Sequence, residues 1–119
     1  MKAISFAWTT PALLAGRKTV TRREWNNRYA RSFKDGELVA ALDKVYRAGG
    51  KQVATIRLTQ APYQSDKLPE GDWEGEGFAY LESIGATVNG ETPHALWHSW
   101  LAARPVFWVV RFELVEVSP

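Results

Sequence analysis

The feature that most constrains this chain is the run "PVFWVVRFELVEV", which occupies positions 105–117. The run is rich in valine and aromatic residues, which are typical of β-strands, and it predicts a strand over about 106–117. Its first half is apolar on both faces, whereas its second half mixes apolar residues with charged ones. The pattern therefore predicts a strand that begins inside a core and emerges from it.

Shorter patterns predict the remaining elements. A Thr-Pro start and the following Gly16 predict a helix of under two turns, and a Gly-Gly pair predicts a hairpin between two strands. The segment 24–37 is predicted to be a loop with at most one turn of helix. Strands are predicted at about 2–7, 18–23, 38–42 and 52–60, and helices at about 73–84 and 93–102.

The predicted order is strand, helix, strand, loop, two strands, two helices and a final strand. Because helices do not alternate regularly with strands, a doubly wound parallel sheet is not expected. The order instead predicts an α+β fold: a small, mostly antiparallel β-barrel of about five or six strands with two or three flanking helices. A chain of 119 residues, 45% of them hydrophobic, suits one domain over 1–119.

The composition excludes several classes of protein. The chain has no cysteine, so disulfides, thiolate nucleophiles and cysteine-ligated metals are excluded. No apolar run approaches the roughly 18 residues that a membrane span needs, and the N-terminus lacks the features of a signal peptide. We therefore predict a cytoplasmic protein with no membrane partner. The sequence does not determine the oligomeric state, and a monomer is the working expectation.

The chain has two histidines, and their spacing is one that can bind a metal. His94 and His98 stand at i and i+4, which can hold a metal on one face of a helix. The zinc-protease pattern also requires a glutamate directly after the first histidine, and here Ala95 occupies that position. We therefore predict no metal site and no cofactor, and interpret the pair as histidines that are half-buried or lie on a helix surface.

Charge is distributed unevenly along the chain. Residues 1–60 hold 12 lysines and arginines against 4 acidic residues, a net charge of +8, while residues 61–119 hold 3 against 9, a net charge of −6. One interpretation is that the basic half attracts polyanions. The other is that the two halves neutralise each other in the fold.

The basic residues concentrate between Arg17 and Lys34, where three aromatic residues follow one another at a spacing of four. Cations bind phosphates and aromatic faces stack on unpaired bases, so the segment predicts binding of RNA rather than duplex DNA. The alternative is a solvated basic loop whose aromatic side chains close the core. The candidate RNA-binding residues are Arg17, Arg22, Arg23, Trp25, Arg28, Tyr29 and Arg31, with core packing favoured for Trp25, and outer phosphate contacts or plain solvation favoured for Arg17 and Arg22.

Three residues have the side-chain types of a hydrolytic site. The hydroxyl of Thr21 is a weak nucleophile that needs a base, which Lys18 could supply if burial lowers its pKa, and Glu76 could relay the proton. Arg23 could hold an anion or an oxyanion. A regular strand would place Lys18 and Thr21 on opposite faces, so they converge only if Lys18 precedes the strand or a bulge intervenes. Such residue types are common, so spacing alone does not establish the site.

The run "GRKTVTRR" at positions 16–23 resembles the Gly-x-Lys-x-x-x-x-Arg pattern of the ASCH domain family, within the PUA-like superfamily. Gly16, Lys18 and Arg23 fall on the three marked positions. The strand and short helix before the run, the "EGEGF" segment and the C-terminal strand also resemble the family, so the resemblance covers nearly the whole chain. It implies a small PUA-like β-barrel with a cleft beside the motif.

The resemblance implies RNA or nucleotide binding in that cleft as the first expectation. A small bacterial branch resembles an amidohydrolase that deacylates N4-acetylcytidine, which would make Thr21 the nucleophile, Lys18 its base and Glu76 the proton relay. Glu74 is the alternative carboxylate, because the Glu-Gly repeat shifts the alignment by two residues. Cleavage of RNA in the same cleft is a third reading. The basic and aromatic insertion at 24–34 departs from that branch and favours an RNA ligand.

Overall fold

The structure, a computed structural model, describes residues 1–119 and has an α+β architecture built on one curled six-stranded sheet. The strands follow the order β1-β3-β4-β6-β2, and β5 pairs with β6 as well. Only β1 and β3 are parallel, so this half-barrel confirms the predicted fold class. The strands are β1 (Ala3–Ser5), β2 (Val20–Arg23), β3 (Leu38–Leu42), β4 (Gln52–Leu58), β5 (Tyr63–Ser65) and β6 (Phe107–Val117).

Five α-helices and two 3-10 turns flank the sheet. Four of the five α-helices have six residues or fewer. None of the helices combines the length and the apolar character that a membrane crossing requires. The helices are α1 (Thr10–Leu14), α2 (Asn27–Arg31), α3 (Asp72–Gly75), α4 (Phe78–Ser83) and α5 (Pro93–Ala103), and the 3-10 turns are Ala7–Thr9 and Tyr46–Ala48.

Strand β6 joins the parts of the sheet. Its first half pairs with β2, from Arg23↔Trp108 to Val20↔Arg111, and with β5. Its second half pairs with β4 from Phe112 onward. The residues from Phe107 to Val110 are all buried, whereas the last residues of the strand are largely exposed. This confirms the prediction of a strand that begins inside the core and emerges from it.

Several predicted boundaries were wrong. The helix expected at 73–84 is divided into α3 and α4, because Gly77 adopts a left-handed φ of +88°. The strand expected at 2–7 ends at Ser5, because a 3-10 turn begins at Ala7. Strand β2 begins only at Val20, and the three-residue β5 was not predicted. The hairpin of β3 and β4 and the helix α5 agree with the predictions.

Two apolar clusters form the interior. The larger lies inside the curled sheet and includes Phe6, Leu58 and Phe112. The smaller centres on Phe78, beneath a cover of half-buried tryptophans that includes Trp100. Residues of both clusters line one pocket, which therefore lies where the sheet meets the helices.

Candidate functional site

Lys18 and Glu76 meet inside the protein although 57 residues separate them in sequence. The Lys18 Nζ donates to the Glu76 carboxylate Oε1 at 3.0 Å and to the Glu76 carbonyl oxygen at 2.8 Å. Each of the two residues is only 2% exposed. Lys18 lies in the segment before β2 and not in the strand, so the alternation that would separate it from Thr21 does not apply.

The glycines of the "EGEG" segment allow this close approach. The carbonyl of Gly75 accepts a hydrogen bond from the Thr19 backbone at 2.7 Å. A Cβ atom at Gly77 would collide with the Ala12 Cβ at 2.5 Å, and it would lie tightly against the Lys18 Cβ at 3.3 Å. The left-handed φ of Gly77 also favours glycine. The segment can therefore pack directly against the residues around Lys18.

A chain of charged side chains continues from this pair. The second oxygen of Glu76 accepts from Arg22 at 2.7 Å, and Arg22 also pairs with Asp72. Asp72 accepts two further hydrogen bonds from Arg111, at 3.0 and 2.9 Å, and Arg111 donates to the Tyr63 hydroxyl. Sequence reasoning missed Asp72 and Arg111. The available signal was the i, i+4 spacing of Asp72 and Glu76, which places two carboxylates on one side of a helical turn.

Thr21 and Arg23 complete the polar side of the site. The hydroxyl oxygen of buried Thr21 accepts a hydrogen bond from Arg23 Nε at 3.0 Å. Arg23 Nη2 donates to the Ser5 carbonyl at 2.6 Å, and its Nη1 has no partner within the protein. No hydrogen bond joins Lys18 to Thr21, although both line the same pocket. The guanidinium of Arg23 is therefore held in place with one nitrogen left for a ligand.

The pocket has a volume of about 210 Å³, and its lining combines polar and apolar side chains. The polar part of the lining includes Lys18, Thr21, Arg23 and Glu76. The apolar part consists of Phe6, Phe78, Val88, Leu96 and Trp100, together with Ala7. A ligand that fits this pocket therefore combines a polar, reactive part with an apolar surface.

The surroundings shift the protonation of the charged groups. Burial lowers the pKa of Lys18, Glu76 opposes that shift, and the positive charges of Arg23 and Arg22 add to it. Burial alone would raise the pKa of Asp72, but hydrogen bonds from Arg111 and Arg22 outweigh it and hold that pKa below its ordinary value. Lys18 is therefore easier to deprotonate than an exposed lysine.

Two of the predicted RNA-binding arginines have other partners. Arg22 was expected on the outside, but its guanidinium is buried between Glu76 and Asp72, because α3 covers this side of β2. Arg17 is exposed and pairs with Glu74 at 2.6 Å. That pairing also places Glu74 outside the pocket, so the carboxylate that lines the pocket is Glu76.

The remaining predicted residues lie on and around α2. Trp25 stacks on Phe33 with ring centroids 4.9 Å apart and packs against the core of the sheet. Tyr29 is partly exposed, and Arg28 and Arg31 are exposed. None of these residues lines the pocket. The structure thus places Arg28, Tyr29 and Arg31 at the surface, and it confirms the core packing that the sequence favoured for Trp25.

The two histidines lie together on the exposed side of α5. Their Nε2 atoms are 2.9 Å apart, and the His94 ring packs against Trp73. The structure contains no group of three or more histidine, cysteine or acidic side chains arranged to hold a metal ion.

Comparison with known proteins adds a structural relative. No family model matches the chain, and no curated protein matches it. Among solved structures, the chain is similar to protein EF3133 from Enterococcus faecalis V583, which is described as a member of the family DUF984. The TM-score is 0.56 at 19% sequence identity, and the match covers 94% of this chain and 72% of the other. At that identity the similarity shows a shared fold.

Proposed function

We propose that the pocket is the active site of an amidohydrolase that removes the acyl group from an N4-acylated cytidine or a similar small amide. The observation that carries the proposal is the buried Lys18–Glu76 pair in a pocket that also contains the Thr21 hydroxyl. Burying a charged pair costs desolvation free energy that its attraction repays only in part. A buried lysine with a lowered pKa in a cleft is a typical sign of a functional site.

The hydrogen bonds of Lys18 suit the role of a base. A neutral amine has two N–H donors and one lone pair, and Lys18 contacts two acceptors, the carboxylate Oε1 and the backbone carbonyl oxygen of Glu76. The neutral form therefore keeps both hydrogen bonds and retains a free lone pair. An ammonium at the same position would keep a third donor without a protein partner.

In the proposed reaction, the Thr21 hydroxyl oxygen attacks the carbonyl carbon of the substrate amide, and Lys18 accepts the hydroxyl proton. The carbon–oxygen bond forms, and the carbonyl oxygen becomes an oxyanion beside Arg23. The carbon–nitrogen bond then breaks, and the leaving nitrogen takes the proton from Lys18 with Glu76 as relay. Water hydrolyses the acyl-threonine ester and restores the hydroxyl.

The size of the pocket and the family resemblance support a small substrate. Pockets that enclose drug-sized ligands measure about 300–1,000 Å³, and this one measures about 210 Å³. That volume suits the acylated end of one base better than a run of nucleotides. The resemblance of "GRKTVTRR" to the ASCH motif, with a threonine three residues after its lysine, points to the same chemistry.

Incubation with N4-acetylcytidine, followed by chromatography for released cytidine, tests the proposal. We expect cytidine from the wild type, and at least about a hundredfold less from Lys18→Met and from Thr21→Val, because each removes a group that acts in the transition state. Glu74→Gln is the matched control, since Glu74 lies outside the pocket, and it should retain the activity. Absence of cytidine from the wild type, or equal release by Lys18→Met, would overturn the proposal.

RNA binding is the second candidate, and the observation that favours it is the exposed surface of α2. Arg28 and Arg31 are exposed there, and the nearby Tyr29 is 41% exposed, so the helix offers both cations and part of an aromatic ring. Cleavage of RNA in the pocket would differ from binding by producing shortened RNA, and Glu76→Ala should then abolish the shortening. The cytoplasmic location and the monomeric state remain predictions.

A further inference from the structure

Asp72 and Arg111 lie outside the pocket but are joined to it through Arg22. One nitrogen of Arg22 donates to the Glu76 carboxylate at 2.7 Å, and another donates to Asp72. Arg111 then donates to both oxygens of Asp72, at 3.0 and 2.9 Å. These contacts form a charge chain that begins at the acidic partner of Lys18 and ends at a partly exposed guanidinium on β6. The charge chain consists of Glu76, Arg22, Asp72 and Arg111.

The charges of this chain cancel without any contribution from Lys18. Two carboxylates alternate with two guanidiniums, and Glu76, the acidic partner of Lys18, is already neutralised by Arg22. A proton on Lys18 therefore adds a positive charge that no carboxylate of the chain is left to balance. Unbalanced charge in a buried site costs free energy, so the balanced chain favours the neutral amine.

The charges at the outer end of the chain stay constant while Lys18 titrates. Hydrogen bonds to Asp72 raise the pKa of Arg111, and its guanidinium stays protonated. Burial alone would raise the pKa of Asp72, but the hydrogen bonds from Arg111 and Arg22 outweigh it, and the carboxylate stays ionised. Two fixed charges of opposite sign therefore act on the amine from outside the pocket.

The other ionisable groups around the amine do not balance its proton. Arg23 of β2 adds a further positive charge beside Lys18. Tyr63 of β5 contributes a hydroxyl at the outer end of the chain, and the exposed pair of Arg17 and Glu74 neutralises itself. Helix α1 has no ionisable side chain, α4 adds a half-buried tyrosine and an exposed glutamate, and the histidines of α5 are exposed.

From this geometry we infer that Asp72 and Arg111 are positioning residues that control the protonation of Lys18 through the charge chain. The inference rests on the proposed function, in which Lys18 is the base, and extends it to two residues that do not touch the substrate. Loss of a positive charge leaves the chain negative, so Lys18 keeps its proton to a higher pH. Loss of a negative charge leaves the chain positive, so Lys18 releases its proton at a lower pH. The two losses therefore act in opposite directions, which a merely structural role would not produce.

The pH–rate profiles of Arg111→Gln and Asp72→Asn with N4-acetylcytidine test the inference. We expect the midpoint of the rise in kcat/KM to move up in Arg111→Gln and down in Asp72→Asn, each by about half to one pH unit, as a unit charge acting through several ångström of protein would give. Arg111→Lys keeps the charge and should restore most of the shift. The matched controls are Arg57→Gln and Glu113→Gln, which remove the same charges from an exposed pair and should not move the midpoint.

A double variant guards against loss of the fold in a single one. Asp72→Asn combined with Arg111→Gln removes both charges, so its midpoint should return to that of the wild type. If Asp72→Asn does not fold, this return, set against the upward shift of Arg111→Gln alone, carries the test. A double variant whose midpoint stays at that of Arg111→Gln overturns the inference.

NMR titration of the lysine Cε signals separates the inference from the proposed function, because it needs no substrate. The signal that is missing from Lys18→Met belongs to Lys18. If the wild type hydrolyses nothing but this signal titrates at a higher pH in Arg111→Gln and a lower pH in Asp72→Asn, the charge chain stands without the hydrolase. If the wild type hydrolyses N4-acetylcytidine and the two variants shift Lys18 in the same direction or not at all, the inference is overturned and the hydrolase stands.

Discussion

At the scale of single residues, Glu76 is the group on which the site depends. Its two carboxylate oxygens accept from different cations, Oε1 from Lys18 and Oε2 from Arg22, and its carbonyl accepts from Lys18 as well. Arg22 has a second carboxylate in Asp72, whereas Lys18 has no acidic partner other than Glu76. The loss of Glu76 would therefore leave one buried cation without a counter-charge.

Glu76→Gln should consequently destabilise the protein by about 3–5 kcal/mol, the range measured when one partner of a buried pair is removed. Lys18→Met should cost clearly less, because Arg22 still neutralises Glu76 and the methionine is apolar. The free energy of unfolding from urea titration measures both. Glu74→Gln provides the exposed reference, with an expected loss below about 1 kcal/mol. Equal losses for Glu76→Gln and Lys18→Met would contradict this account of the site.

The lowered pKa of Lys18 predicts the pH dependence of hydrolysis. Below that pKa the ammonium cannot accept a proton, and above it the amine can, so kcat/KM should rise with pH. The midpoint should lie below about 10.4, the ordinary pKa of lysine. A pH–rate profile with N4-acetylcytidine measures it. Lys18→Arg should be inactive at every pH, because a guanidinium stays protonated. A profile without this rise would show that Lys18 is not the base.

At the scale of elements, the site forms because two segments approach at backbone distance. The residues before β2 and the junction of α3 with α4 touch through Gly75 and Gly77. The junction delivers the Glu76 side chain to the interior, while Glu74 remains exposed. A change at the junction should therefore affect both the stability of the fold and the geometry of the pocket.

Gly77→Ala tests that dependence against Gly85→Ala. Both glycines have a left-handed φ, +88° and +70°, but a Cβ at Gly85 would meet nothing within 4 Å. Gly85→Ala should therefore cost only backbone strain, about 1–2 kcal/mol. Gly77→Ala adds the collision with Ala12, and we expect a further loss of about 1–3 kcal/mol. Urea unfolding of the two variants measures the difference. Equal losses would mean that the close packing at Gly77 is unimportant.

The elements also show what sequence could and could not predict. Strand β6 and helix α5 were predictable because their hydrophobic patterns extend over 11 residues each. The burial of Arg22 was not predictable. Strand β2 is buried on both faces, so the alternation of side chains along it does not distinguish buried residues from exposed ones. The meeting of Lys18 with Glu76 depends on a contact between distant segments, and only the family resemblance pointed to it. Asp72 and Arg111 lie outside the motifs that carry the family resemblance, so the resemblance did not point to them.

At the scale of the whole molecule, the two oppositely charged halves of the sequence largely pair with each other. Five of the seven ion pairs join a residue in 1–60 to a residue in 61–119. Lys18 and Arg22, the two buried cations of the basic segment, are both used in this way. The segment therefore offers fewer free cations to a polyanion than its sequence indicates.

For the proposed RNA binding, this pairing predicts a weak salt dependence. Arg28, Arg31 and Lys34 are the exposed cations of the segment without an ion-pair partner. Two or three phosphate contacts to single-stranded RNA give a log–log salt slope of about −1 to −2. Fluorescence anisotropy with a labelled oligonucleotide between low and physiological salt measures the slope. The double variant Arg28→Ala, Arg31→Ala should make the slope shallower still. A wild-type slope steeper than about −4 would contradict the expected two or three phosphate contacts.

The position of β6 in the chain also has a kinetic consequence. Strands β3 and β4 are neighbours in sequence and pair with each other, so they can associate early. Strands β2 and β5 pair only with β6, and β2 must wait for a partner whose residue Val110 lies far along the chain from Thr21. Pairing between distant segments is the slow part of folding. The pocket is therefore expected to be the last region to assemble, and conditions that slow folding should populate molecules with a formed β3–β4 hairpin and no site.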